Sequence, residues 1–95
     1  MEKEQWIPVD DFCTAYKIEV SFVQSLKDSG LIEMNDNDEK YWIPAYQLAD
    51  LEKFIRLHFD LDINIAGIEA ISHLLQRIKE MQLEINYLRN RVLAE

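Results

Sequence analysis

Residues 8–30 read PVDDFCTAYKIEVSFVQSLKDSG and predict two short helices joined by a tight turn. Proline suits the first turn of a helix and acids suit its positive end, so the first helix is predicted to start at Pro8 and run to about Tyr16. A second helix is predicted to open at Val20 or the residue after it. Gly30 is placed to end that helix, because glycine readily adopts the left-handed conformation of a helix C-terminus. Together the two helices predict a helix–turn–helix unit.

A β-hairpin, here called the wing, is predicted directly after this unit. Residues 31–34 and 41–43 are short apolar runs, and residues 35–40 between them are polar and favour turns. This oxygen-rich loop lacks the fixed glycine and the distal glutamate of a calcium-binding EF-hand loop. A third helix is predicted from Pro44 to about Phe59, where Asp and Asn residues break it.

The last part of the chain predicts a long helix, from about Ile65 to Leu93, with a coiled-coil seam along one side. The apolar residues of the seam recur at spacings of three and four and fill the a and d positions of about three heptads. They are Ile71, Leu74, Ile78, Met81, Ile85, Leu88 and Val92. The helix should extend roughly 20 Å beyond the head, where too little chain remains to cover the seam. We therefore expect the seam to form a homodimer, with the orientation of the two helices left open.

These patterns predict a mostly α-helical protein with two parts. Residues 1–60 are expected to form a winged helix–turn–helix head with a small β-hairpin wing. Residues 61–95 are expected to contribute the long C-terminal helix with coiled-coil character, whose first turns pack on the head. A chain of 95 residues buries only a modest core, so a partner subunit would add to its stability.

The charge of the predicted head has the wrong sign for DNA. Residues 1–50 contain eleven acids, four lysines and no arginine, a net of −7 within the chain's total of −8. DNA-binding proteins gain affinity by placing lysine and arginine against phosphates, whereas an acidic head attracts basic proteins. The second helix would offer DNA a largely unsuitable set of side chains: Glu19, Ser21, Gln24, Ser25, Lys27 and Asp28. A basic protein surface is the predicted partner, and DNA is disfavoured.

We expect acidic and aromatic residues of the head to contact this basic partner. Exposed acids steer the encounter, and an apolar centre holds the complex. The predicted steering acids are Asp10, Asp11, Asp36, Asp38 and Glu39, and the predicted anchors are Tyr41, Trp42 and Phe22. Neighbouring side chains on a strand point to opposite faces, so Tyr41 and Trp42 cannot both enter the core. One of the two rings is expected to be exposed beside the wing acids.

Catalytic and metal-binding functions are disfavoured by the residues present. His58 and His73 lie fifteen residues apart, with no cysteine or evident carboxylate partner nearby, and metal sites need several ligands at characteristic spacing. Two glycines leave no glycine-rich phosphate loop. We expect no enzymatic activity, no metal and no cofactor.

The single cysteine and the hydropathy pattern indicate a cytoplasmic protein. Cys13 has no second cysteine for an intrachain disulfide and is expected to be a small buried apolar residue. No apolar run approaches the roughly 20 residues of a membrane span. The first six residues contain no apolar stretch and are not expected to be a signal peptide.

Several segments resemble known families. Four segments of the head resemble a MerR-type winged helix: Val9-Asp10-Asp11-Phe12, the turn near Ile18, Ser29-Gly30-Leu31-Ile32 and Leu48-Ala49-Asp50-Leu51. The C-terminal part looks like the CbpM chaperone-modulator family in the run LHFDLDINIAGIEAI (residues 57–71), in Leu74, and in the stretch from Ile78-Lys79 to Tyr87-Leu88-Arg89-Asn90-Arg91. The similarity covers nearly the whole chain, and none of its motifs is catalytic.

The resemblance implies a partner and a function. Members of the CbpM family resemble transcription factors, but they bind the J domain of a DnaJ-like co-chaperone, CbpA, and block its engagement of the DnaK-type chaperone. A J domain offers a basic helix to that chaperone, and an acidic head would complement this surface. MerR regulators usually carry arginines in the recognition helix and the wing, which this head lacks. The resemblance therefore implies a non-enzymatic chaperone modulator, with a MerR-like DNA-binding transcriptional regulator as the alternative.

Overall fold

The predicted helix–turn–helix is present in the computed structural model, which describes residues 5–94. Helix α1 (Val9–Tyr16) and helix α2 (Val20–Asp28) are separated by a three-residue turn. Lys17 ends α1 in the left-handed conformation, with φ of 57°, and the next amide donates to the carbonyl of Cys13. Gly30 follows the end of α2 in the left-handed region, with φ of 79°, as predicted.

The wing is present, but its first strand lies later in the chain than predicted. Strand β2 (Asn35–Asn37) pairs antiparallel with strand β3 (Lys40–Pro44), so the strand predicted at residues 31–34 is wrong. Residues 31–34 instead close the end of α2 and enter the core, where Ile32 is buried. Their apolar side chains are used for packing on helices rather than for pairing in a sheet.

The sheet contains a third strand that the sequence patterns did not indicate. Strand β1 (Trp6–Pro8) pairs antiparallel with β3, so β3 is central and the order is β1–β3–β2. Ile7 lies opposite Ile43, and both belong to the side of the sheet that packs on the helices. The sheet therefore joins the start of the chain to the wing and fixes where α1 begins.

A single apolar core joins α1, α2, the sheet and the following helices. Its members are Val9, Phe12, Cys13, Phe22, Val23, Leu26, Ile32, Ile43, Leu51, Phe54 and Ile68. The contributing helical residues recur at spacings of three or four, which places them on one face of each helix. Burial of Cys13 agrees with its predicted role as a small apolar residue.

The predicted third helix is divided into three short segments. A 3-10 turn (Ala45–Gln47) leads into helix α3 (Leu48–Ile55), and a π-helical turn (Arg56–Asp60) follows without a break. His58 Nδ1 lies 2.8 Å from the carbonyl oxygen of Ile63, which ties this turn to the loop after it. The segment thus ends close to the predicted position.

Helix α4 (Ile65–Ala94) begins as predicted and extends far from the core. Asn64 precedes it, and its side-chain oxygen accepts the Gly67 amide at 2.8 Å, which satisfies a donor of the first turn. Ile68 is its only buried residue, and every residue from 73 to 94 is exposed. The radius of gyration is 17.0 Å, against about 12 Å for a compact chain of this length, because the end of this helix projects.

Candidate protein-binding surfaces

The wing presents different side chains on its two faces. Tyr41 lies directly opposite Asp36 across the hairpin, whereas Trp42 lies opposite Asn35. Because neighbours on a strand alternate, Tyr41 shares its face with the buried Ile43, and Trp42 occupies the other face. Tyr41 is exposed and Trp42 is half-buried. The sequence predicted that one of the two rings would be exposed beside the wing acids, and in the structure Tyr41 is the ring that shares a face with Asp36.

The predicted steering acids fall into two groups. Asp36, Asp38 and Glu39 are exposed on the hairpin, and the last two form its turn with φ of 54° and 60°. Asp10 and Asp11 are exposed in the first turn of α1, which follows β1 at the opposite edge of the sheet from β2. A partner would have to span the sheet to contact both groups.

Phe22 lies in the core and leaves little surface for a partner. Only 8% of it is exposed, on the face of α2 that also buries Val23 and Leu26. Its ring centroid lies 4.8 Å from that of His58 and 5.2 Å from that of Phe59. Helical periodicity puts Phe22 inside because it recurs with the other apolar residues of α2. Phe22 is therefore a core residue, and its predicted role as an exposed anchor is wrong.

A cleft that sequence reasoning missed lies on the outer face of the sheet. Its volume is about 250 Å³, and it is lined by Trp6, Asn35, Asn37 and Trp42. Trp42 lies opposite Asn35 on one side and opposite Pro8 on the other, and Trp6 is two residues before Pro8 on the same face. The signal available in the sequence was the short β-prone run Trp6-Ile7 before the first helix.

The seam of α4 is uncovered over most of its length. Ile71 is half-buried against the head, and the other six seam residues are 48–71% exposed: Leu74, Ile78, Met81, Ile85, Leu88 and Val92. Where α4 leaves the head, Ile71, Leu75 and Ile78 line a groove of about 440 Å³ together with Phe54 and Leu57. Asp50, Lys53 and Lys79 line the same groove, so the apolar seam continues into a groove of mixed polarity.

Two titratable groups near α1 have raised pKa values. Burial raises the pKa of the Cys13 thiol, and the nearby Asp10 carboxylate adds to the rise. The Tyr16 hydroxyl donates a hydrogen bond to the Glu52 carboxylate, which raises the pKa of Tyr16. Both changes favour the neutral form, so Cys13 is not an activated nucleophile.

The described residues contain no group of three or more His, Cys, Asp or Glu side chains arranged to hold a metal ion. Within residues 5–94, no helix has the length and apolar character required to cross a membrane.

The arrangement of elements defines the class of protein. A helix–turn–helix, a small sheet that contains a wing, and a long terminal helix make it a winged helix–turn–helix protein. Residues 7–90 match the family model described as MerR HTH family regulatory protein, and the chain belongs to this family. No match was found among curated proteins or among solved structures.

Proposed function

We propose that this protein is a non-enzymatic, cytoplasmic chaperone modulator. It binds the J domain of a DnaJ-like, CbpA-type co-chaperone and blocks its engagement of the DnaK-type chaperone. The observation that carries the proposal is a helix–turn–helix head with a net charge of −7 over residues 1–50. The resemblance to the CbpM family supplies the identity of the partner, and the charge supplies a physical reason for binding a basic surface.

The exposed face of α2 supports a protein partner over DNA. The Ser25 hydroxyl donates to the carbonyl of Ser21 at 3.0 Å within the helix, so it is engaged locally. Lys27 is exposed but is followed by the exposed Asp28. Base-reading helices combine Arg, Lys, Asn or Gln with phosphate-binding bases around them. Gln24 and Lys27 alone leave this helix poorly suited to that role.

The wing acids and Tyr41 give the proposed mechanism its two parts. Asp36, Asp38 and Glu39 concentrate negative charge at the end of the hairpin, which accelerates association with a basic helix. Tyr41 is exposed beside Asp36 and offers an aromatic surface that can be buried in the complex. A bound head would cover the basic helix that the J domain otherwise presents to its chaperone.

The proposed functional unit is a homodimer formed through α4. A second copy is the occupant that suits the seam, because its a and d positions repeat over three heptads and carry Ile, Val, Leu and Met. The flanking positions suit pairing as well, since Glu84 occupies a g position and Arg89 an e position. The groove beside Phe54 would be filled where the two helices meet the head.

Calorimetric titration tests the proposal directly. The full chain is titrated with the purified CbpA-type J domain of the same organism at low and at high salt. We expect micromolar or tighter binding that weakens at high salt, because exposed charges are screened within roughly 8 Å at physiological ionic strength. Absence of binding at both salt concentrations would contradict the proposal.

Membership of a family described as regulatory favours one alternative, a DNA-binding transcriptional regulator. Specific DNA binders hold their sites at roughly 10⁻⁸ to 10⁻¹¹ M at physiological salt, and their affinity falls steeply as salt is added. Binding of the chain to genomic fragments in this range, without binding to the J domain, would establish the alternative.

A further inference from the structure

The only two tryptophans of the chain lie on one face of the sheet and line one cleft. Trp6 is 38% exposed and comes from the edge strand β1, while Trp42 is half-buried in the central strand β3. Asn35 and Asn37 supply the polar part of the lining from β2. Indole rings are costly to leave in contact with water, so two of them around one cleft indicate a binding surface.

The lining suits a cation rather than a neutral group. The face of an indole ring attracts cations more strongly than that of any other aromatic side chain. Asn35 and Asn37 carry amide oxygens that accept hydrogen bonds. Asp36 lies opposite Tyr41 on the other face of the sheet, and Asp38 and Glu39 form the turn after Asn37. Lys40 lies opposite Asn37 and therefore on the face of the cleft, although it is not among the residues that line it. The cleft therefore combines cation-attracting faces and acceptors, and the hairpin beside it carries three acids against one lysine.

Among biological cations, the arginine side chain fits these features best. A guanidinium group is planar and stacks on aromatic rings, and its five donors match the acceptors of two amides. A lysine ammonium is more strongly hydrated and does not stack. We propose that this cleft receives an arginine side chain from a basic protein partner.

A proline-rich peptide is less well suited to the cleft. Such peptides dock in aromatic-lined grooves, where a free indole N–H adds a donor for a peptide carbonyl. Here Trp42 Nε1 donates to the carbonyl of Asn37 at 3.3 Å, so this donor is already engaged. That hydrogen bond also orients the indole ring toward the hairpin.

Fluorescence provides a direct test, because both tryptophans belong to the cleft and every change in indole emission reports on it. The full chain is titrated with the peptide acetyl-Gly-Arg-Gly-amide up to tens of millimolar, and with the citrulline peptide of the same shape but without charge. We expect a saturable change with the arginine peptide and none with the citrulline peptide. Equal effects of the two peptides, or no effect of either, would overturn the inference.

Two variants sharpen the test. Asn35→Asp adds one carboxylate to the cleft and should tighten binding of the arginine peptide about fivefold, as expected for one charge about 4 Å away in water. Asn90→Asp makes the same change in net charge on exposed α4 and should leave the affinity unchanged. Trp6→Leu should weaken binding about tenfold, with Trp42 as the remaining reporter. Equal affinities for Asn35→Asp and Asn90→Asp would contradict an arginine-specific cleft.

This inference rests on the proposed function only in taking the partner to be a basic protein, and the two can fail separately. If the J domain binds while indole emission stays constant and the peptide is inactive, the cleft assignment fails and the modulator proposal stands. If the arginine peptide binds and the J domain does not, the cleft assignment stands. A response to a proline-rich peptide or an oligosaccharide alone would assign the cleft to a different ligand.

Discussion

At the scale of single residues, one buried amide connects two loops of the head. Gln47 is 7% exposed, and its side chain makes both of the hydrogen bonds that the Glu33 backbone offers. Its Oε1 accepts the Glu33 amide at 2.7 Å, and its Nε2 donates to the Glu33 carbonyl at 3.1 Å. This pairing holds the segment between α2 and the wing, where a strand was predicted, outside the sheet.

Replacing this amide tests the arrangement. Gln47→Met keeps the side-chain length but leaves the amide and carbonyl of Glu33 without partners, so the free energy of unfolding should fall by about 1–3 kcal/mol. Gln76→Met, on the exposed surface of α4, should change it by less than about 0.5 kcal/mol. Urea unfolding followed by circular dichroism measures both. Similar values for the two variants would show that the Gln47 bonds contribute little.

The raised pKa of Cys13 predicts how stability depends on pH. The folded protein holds the thiol proton more tightly than the unfolded chain, whose reference pKa is 9.0. The stability that comes from the neutral thiol is therefore fully present below pH 9.0 and is lost as the pH rises above it. Unfolding measured between pH 7 and pH 10 should show a smaller decline for Cys13→Ala than for the wild type. Identical declines would mean that the thiol is not linked to folding.

At the scale of elements, the start of α4 depends on a close approach that only glycine permits. A methyl group at Gly67 would lie 2.7 Å from Ile63 Cγ2 and 3.2 Å from Asn64 Oδ1, the atom that caps the helix. Ile63 packs against the core and is β-branched, so it cannot move aside easily. The capped turn therefore positions the whole of α4 relative to the head.

Substitution of this glycine separates packing from helix propensity. Propensity alone predicts that Gly67→Ala stabilises the helix by about 1 kcal/mol. The contacts with Ile63 and Asn64 predict the opposite sign, a loss of stability measurable by thermal unfolding. Ala70→Gly, on the exposed side of the same helix, should cost about 1 kcal/mol through propensity alone. A stabilised Gly67→Ala protein would show that the loop relaxes around the methyl group.

At the scale of the whole molecule, the projecting half of α4 predicts self-association. Ile78→Lys combined with Ile85→Lys places charges at two a positions and should give a monomer with a folded head, since neither residue is buried in the core. Gln76→Lys combined with Leu83→Lys adds charges at f positions on the opposite side of the helix and should leave the dimer intact. Sedimentation measures all three proteins. A monomeric wild type would show that the prediction of a homodimer through the seam is wrong.

The distribution of charge predicts the kinetics of partner binding. Reversing Asp36, Asp38 and Glu39 to lysine should slow association with the J domain at low salt by about tenfold or more, because charged patches steer encounter. The matched control reverses three exposed acids elsewhere, Asp60, Asp62 and Glu80, with the same change in net charge. Stopped-flow measurements compare the two. If both triple variants associate equally fast, the wing lies outside the interface.

The sequence by itself determined the features that depend on local periodicity and composition. The 3.6-residue repeat placed the helices, Gly30 and the polar break before Ile65 marked their ends, and the residue counts fixed the acidity of the head. The heptad spacing of the α4 seam could also be recognised from the sequence, because it is a local property. The partners of the seam and of the acids, a second copy of the chain and a basic protein, remain predictions.

Only the tertiary structure decided which segments pair in the sheet and which side chains share a face. Asn35–Asn37 forms a strand although Asn and Asp disfavour strands, because pairing with β3 satisfies its backbone, while the apolar residues before it are drawn to the helices. The cleft joins Trp6 to Trp42 across 36 positions of sequence. Contacts between distant segments depend on packing of the whole chain, and no local pattern encodes them.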